Sequence, residues 1–191
     1  INNVVLGLRR LNKSENVFYN FLKNEINTLT DDQIMLEPFR KLVKISGFEN
    51  FVTVNIDNFL ERAFKAENIR VNKSFNFSVP FPAHDPADRK DPAIACVFNL
   101  MGNIRGYDFA MTDEQSLEYI YEIQKGSDAF AKELFDAINQ KDILFVGSSF
   151  PDWFMRFFIR IISKEPFKTS KKAKYVACDH TLEDRELLTF L

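Results

Sequence analysis

The sequence predicts an α/β fold with a mostly parallel sheet and helices on both of its faces, and three observations predict it. Strand-like and helix-like segments alternate through the larger, carboxyl-terminal part of the chain. The strands read as unbroken apolar runs rather than alternations, as in ILFV at 143–146, which is how strands covered on both faces are written. Each strand also ends in polar or glycine-containing text that leads to a segment of helical periodicity, half of a βαβ unit.

The elements follow in order. SENVFYNFLKNEINTL begins with Ser14 as an N-cap and sets Val17, Phe18, Phe21, Leu22 and Ile26 near helical spacing. In DDQIMLEPFRKLVKI, Asp31 or Asp32 caps a second helix, which Pro38 kinks or divides unless it sits in a first turn, and which Gly47 stops. Phe51 to Val54 is the first strand, β-branched and aromatic, and it ends on polar Asn55 and Asp57. NFLERAFKAEN then places Phe59, Leu60, Ala63 and Phe64 on one helical face. PFPAHDPADRKDP, at 80–92, has four prolines and five charges, which exclude regular structure and predict an exposed loop. VFNLMGNIRG is a strand ending in glycines, and TDEQSLEYIYEIQ starts with Thr112 and Gln115 at the spacing of a capping box. SDAFAKELFDAINQ is a further helix. KDILFVGSSFPDWFMRFFIRIISKE supplies an apolar strand, a Gly-Ser-Ser turn, Pro151 near a helix start, and a helix with Phe154, Phe157, Phe158, Ile161 and Ile162 inward. KAKYVACD is one more short buried strand.

Composition bounds the function. With 191 residues, 46% of them hydrophobic, residues 1–191 are expected to form a single domain with a substantial core. A net charge of -2 argues against a general polyanion binder, so no direct nucleic-acid partner is expected. The basic run KTSKKAK at 168–174 reads as a solvated loop, with a nucleotide or partner contact as the alternative. Cys96 and Cys178 lie far apart in apolar runs and fit neither a metal cluster nor a disulfide framework, which suggests a reducing cytoplasm. No apolar stretch approaches the roughly 18 residues that span a bilayer, so no membrane partner is expected. The chain starts at Ile1 and stops inside the apolar helical text ELLTFL, as an excerpt of a longer multidomain protein would. The helix from Trp153 to Ile162 is apolar nearly all round apart from Arg156 and Arg160, the pattern of a buried helix with an edge for a second copy of the chain.

Ligands of open parallel sheets bind outside the carboxyl ends of the strands. Three such ends carry suitable text: Thr53-Val54-Asn55-Ile56-Asp57, Leu100-Met101-Gly102-Asn103 and Val146-Gly147-Ser148-Ser149. The third has the parts of a phosphate or ribose cradle, namely a glycine for close backbone approach, hydroxyl donors and a following helix N-terminus. It equally suits a tight strand-to-helix connection capped by Ser149 or Asp152, and Asp57 equally suits a cap for the helix that follows it.

Taken as an ordered set, the three ends carry a resemblance that none carries alone. TVNID followed by DNFLE resembles the TQNID and TxNxD motifs of sirtuins and of prokaryotic sirtuin-like defence domains, with their DxLLE-type helix. VFNLMGNI is similar to the strand that ends in Leu-His-Gly in that family. DILFVGSSFPDWFMRFF looks like its last landmark, an apolar strand, G-x-S and an aspartate-containing helix start. The resemblance covers roughly Phe51 to Asp179 and implies a Rossmann-like three-layer domain that takes NAD as substrate or ligand, without a metal. It further implies that Asn55 holds the ribose side of the cofactor or a catalytic water and that Asp57 orders that wall. Gly147 and Ser148 would face the phosphates or the adenosine ribose, with Thr53, Gly102 and Ser149 completing the binding set. Relatives in anti-phage immunity hydrolyse NAD to nicotinamide and ADP-ribose, and many are fused to effector or sensor domains such as TIR domains; for this chain a homo-oligomer is expected.

Three departures bear on chemistry. The family's first glycine-rich loop is absent from INNVVLGLRRLN, which has only Gly7. The paired CxxC motifs of the sirtuin zinc module are absent too, which disfavours lysine deacylation. Most consequential, Met101 stands at the position of the catalytic histidine, on the expected rim of the cleft. An imidazole titrates near neutrality and accepts a proton, whereas a thioether does not. Losing a general base costs about 10²–10⁴-fold in rate. His84, in the proline-rich loop, and His180, after the last strand, are poorly placed substitutes, and Asp57, Glu61 and Asp108 are candidate bases without a motif behind them. The resulting expectation is an NAD- or ADP-ribose-binding domain that is impaired as a hydrolase and serves as a ligand-binding or scaffolding module. An active NAD hydrolase and a purely structural oligomerisation module are the alternatives.

Overall fold

The computed structural model describes residues 2–76, 95–105, 109–125, 129–138, 141–147, 153–163 and 175–178. The chain divides into two compact units, Ile1–Glu122 and Ile123–Leu191. It is a mixed helix and strand protein whose strands pair in parallel, as the alternating pattern predicts.

The first unit opens with α1 (Asn2–Arg10), α2 (Asn16–Thr28) and α3 (Glu37–Val43). Ser14 is not the capping position of α2, which falls to Glu15, but its hydroxyl still accepts a bond from the Asn16 amide at 3.2 Å. The inward face of α2 is Phe18, Tyr19, Leu22 and Ile26; Val17 and Phe21 point to solvent, against the expectation for those two. Pro38 occupies the first turn of α3, where its missing N–H costs nothing, so no kink results. Asp31 caps no helix; its carboxylate is held by the Arg62 guanidinium.

The sheet of this unit is β1 (Asn50–Thr53), β3 (Ala95–Asn99) and β2 (Val71–Asn76), in the order β1-β3-β2 and all parallel. Central β3 is buried along most of its length, which explains why its sequence is an apolar run rather than an alternation. β2 is unexpected: VNKSFN carries four polar residues in six, a composition that an edge strand tolerates and that conceals it from pattern reading. Between β1 and β2, α4 (Phe59–Ala66) turns Leu60, Ala63 and Phe64 inward as its periodicity predicts, and Glu61 with them. Phe51 of β1 meets Phe64 edge-to-face at 5.0 Å between centroids, in a cluster with Val43 of α3 and Val97 of β3. Fully burying a side chain such as that of Phe64 stabilises by about 1.5–3 kcal/mol. Lys44 and Arg40 bridge from the end of α3 to Glu67 just beyond α4, holding its carboxyl below the usual range. A second cluster joins Val5 of α1 and the inward face of α2 to Ile104, Phe109 and Met111.

α5 (Asp113–Lys125) starts on the expected capping box: the Gln115 amide donates to the Thr112 hydroxyl at 3.2 Å, and the Thr112 amide donates to the Gln115 side-chain oxygen at 3.1 Å. The second unit contains α6 (Ala129–Ile138), β4 (Ile143–Val146), α7 (Trp153–Ser163) and β5 (Tyr175–Cys178), with β4 and β5 paired in parallel. On β4 only Phe145 is buried, while Leu144 and Val146 are exposed, so this strand is not covered on both faces as its unbroken apolar text predicts. Among the α7 side chains that are described, Phe158 is inward as expected, Ile159 is buried with it and Ile161 is half-buried, whereas Phe157 lies outward, a correction for that residue; the Phe154 and Ile162 side chains lie outside the described set. The proline-rich stretch at 80–92 with His84, the basic run at 168–174, His180 and Asp108 lie outside the described residues.

Candidate functional site

Two of the three strand ends are brought together by the sheet itself. β1 and β3 are parallel neighbours in the register Thr53↔Asn99, so they finish at the same level. Beyond the sheet the two segments continue side by side. The Leu100 amide donates to the Thr53 carbonyl at 2.9 Å, and the Ile104 amide donates to the Ile56 carbonyl at 2.7 Å. The residues expected to line one wall, Thr53, Asn55 and Asp57, therefore flank the segment that holds Met101 and Gly102.

Each has a local reason for its position. The Thr53 hydroxyl accepts the Asn55 amide at 3.1 Å, turning the chain as it leaves β1 and leaving Asn55 exposed. Asp57 accepts the Phe59 amide on Oδ1 at 3.0 Å, so it does tie down the start of α4. Burial pushes the Asp57 carboxyl above its ordinary value, the Phe59 bond opposes the rise, and the nearby Glu61 carboxylate adds to it. On the other segment, Gly102 has φ +80°, a left-handed conformation that a side chain would strain. It forms an antiparallel bridge with Phe109, and the Ala110 amide donates to the Met101 carbonyl at 2.8 Å. Met101 itself is only 5% exposed. Its thioether is packed away rather than displayed at a rim, the behaviour of an adaptable apolar filler.

Sequence reading missed a buried polar cluster between these segments. Glu61, Asn99 and Asn103 are 8%, 0% and 4% exposed. The Asn103 side-chain amide donates to Glu61 Oε1 at 2.9 Å and lies 3.2 Å from the Asp57 carbonyl and 3.4 Å from Asn99 Oδ1. Asn99 Nδ2 reaches the same Glu61 oxygen at 3.4 Å, and Asn103 Oδ1 accepts the Arg105 amide at 2.9 Å. An asparagine in the middle of the apolar run VFNLM was the one visible signal.

Gly147 follows β4 in the second unit and is exposed at φ +65°, so the glycine is required by the turn. Ser148 and Ser149 lie outside the described residues. A groove of about 550 Å³ opens elsewhere on the first unit, lined by Lys13, Asn16, Tyr19, Phe109 and Gln115 among others, and neither Asn55 nor Asp57 faces it. Its volume suits a small ligand, but Gln115 and Tyr19 are already committed to each other, to Phe109 and to the α5 cap. Among the described residues no group of His, Cys, Asp or Glu is arranged to hold a metal ion, and no helix is long and apolar enough to cross a membrane.

Parallel strands ending together in a polar turn and a glycine turn define an α/β protein with its candidate site at the carboxyl edge of the sheet. The model of the SIR2-like domain family matches residues 49–188, most of the chain, and the protein belongs to that family. Members of the family generally use NAD. No curated protein and no solved structure matches the chain.

Proposed function

We propose that this chain is a sirtuin-like module that binds NAD or an ADP-ribose-like nucleotide, is impaired as an NAD hydrolase, and serves an anti-phage immune protein as a ligand-binding or scaffolding part. The observation that carries the reading is the side-by-side course of the TVNID turn and the Met101-Gly102 turn, the two landmarks that the family resemblance assigns to one cleft. In this reading the domain is Rossmann-like and three-layered, and exposed Asn55 offers its amide to the ribose. Asp57 keeps the wall in place through its bond to Phe59. Breaking the nicotinamide bond creates an oxocarbenium-like centre, and the attacking water or ribose hydroxyl must lose a proton. Met101 has no site to receive it.

Isothermal calorimetry of the full chain with NAD and with ADP-ribose tests this reading. Saturable binding is expected, weakened about tenfold, or about 1.4 kcal/mol, by Asn55→Ala. No binding of either nucleotide would favour the structural oligomerisation module instead. One feature favours an active hydrolase as the second reading: next to exposed Asn55, burial holds the Asp57 carboxyl above its ordinary value, the direction in which a carboxylate becomes a better proton acceptor. That reading requires nicotinamide release that Asp57→Asn abolishes.

A further inference from the structure

Glu61, Asn99 and Asn103 are an expensive set to bury. A carboxylate and two amides taken out of water cost free energy unless they are paired, and an apolar side chain at position 99 would carry no such cost at the buried end of β3. The pairing joins three stretches of chain. Glu61 belongs to α4, the Asp57 carbonyl to the connection between β1 and α4, and Asn99 and Asn103 to β3 and its exit. Asn103 is the hub, because its N–H groups face Glu61 and Asp57 while its oxygen holds the Arg105 amide. Gly102, immediately before it, has the weakest conformational preference of any residue, so the course of this exit must be imposed from outside the local backbone.

We infer that Asn103, clamped by Glu61 and Asn99, is the positioning residue of the candidate site, fixing the separation between the Asn55–Asp57 turn and the Met101-Gly102 turn. The inference rests on the nucleotide-binding reading for the identity of the site, whereas the clamp stands on geometry alone. Its chemistry is directional. Glu61 accepts and Asn103 donates, so a carboxylate at 103 would face the Glu61 carboxylate, with Asp57 close by as a further negative charge.

Two measurements on the full chain separate the clamp from the ligand. In amide hydrogen exchange, Asn103→Asp is expected to lower protection of the Ile104 and Arg105 amides about tenfold or more, the scale set by losing a charge-assisted bond. Amides within α4 should change far less. Lowering the pH, so that one facing carboxyl takes a proton, should recover the protection, and so should the added change Glu61→Gln, which supplies a donor to the new carboxylate. In calorimetry, Asn103→Asp should weaken ADP-ribose binding about tenfold or more, and the double variant should regain most of it. Unchanged protection in Asn103→Asp, or no recovery in the double variant, overturns the clamp. Lost protection with unchanged ADP-ribose affinity overturns the positioning role. If the parent chain binds no ADP-ribose while protection behaves as expected, the nucleotide reading falls and the clamp stands. Should Asn103→Asp fail to fold at neutral pH, the double variant and Asn103→Ala carry the same comparison.

Discussion

At position 57 a single aspartate combines a local duty with an electrostatic one. Its Oδ1 accepts the Phe59 amide, a duty the sequence announces, because an aspartate just before an apolar helical run is a familiar start signal. Its raised carboxyl was not legible, since the burial that causes it comes from distant chain segments. The sign of the linkage is definite. A carboxyl raised in the folded state favours folding most at acid pH, and that contribution disappears as the pH rises through the folded value. Asp57→Asn keeps an oxygen for the Phe59 amide and removes the charge. Thermal melts should therefore show Asp57→Asn more stable than the parent at pH 7, with the advantage shrinking as the pH falls toward 3.8, the ordinary aspartate value. An advantage that grows at acid pH would reverse the assignment. Met101 shows the other limit of residue-scale reading: its place in the order of motifs was legible, and its burial was not.

Elements were legible in proportion to how local their causes are. The α5 cap needs only Thr112 and Gln115, three residues apart, and both reciprocal bonds form. Thr112→Ala should therefore cost about 1 kcal/mol in urea unfolding; a change within a few tenths would mean that tertiary packing alone sets the start of α5. The face of α2 was harder, because Phe18 and Phe21 both suit an apolar stripe and stack on each other at 6.4 Å, while only contacts with Ile104 and Phe109 decide which points inward. β2 was hidden because an edge strand need not be apolar, and its hydrogen bonds go to a partner on the far side of a long intervening segment. The Glu61, Asn99 and Asn103 cluster was hidden for the same reason, with bonds spanning 38 and 42 residues of sequence. No local propensity records such separations.

For the molecule as a whole, parallel pairing was legible from the alternation of elements, and strand order was not. That order matters most to function, because β3 lies directly beside β1 and so brings the two turns together. On the proposed nucleotide-binding reading, a net charge of only -2 leaves recognition to local donors at the strand ends rather than to the net charge of the chain. On that reading, a proton acceptor at position 101 is what separates turnover from binding alone. The most direct measurement is nicotinamide release from NAD at neutral pH by the full chain and by Met101→His. Release at background from the parent, rising about 10²–10⁴-fold in Met101→His, is the expected result. Steady turnover by the parent that Asn55→Ala abolishes would contradict it.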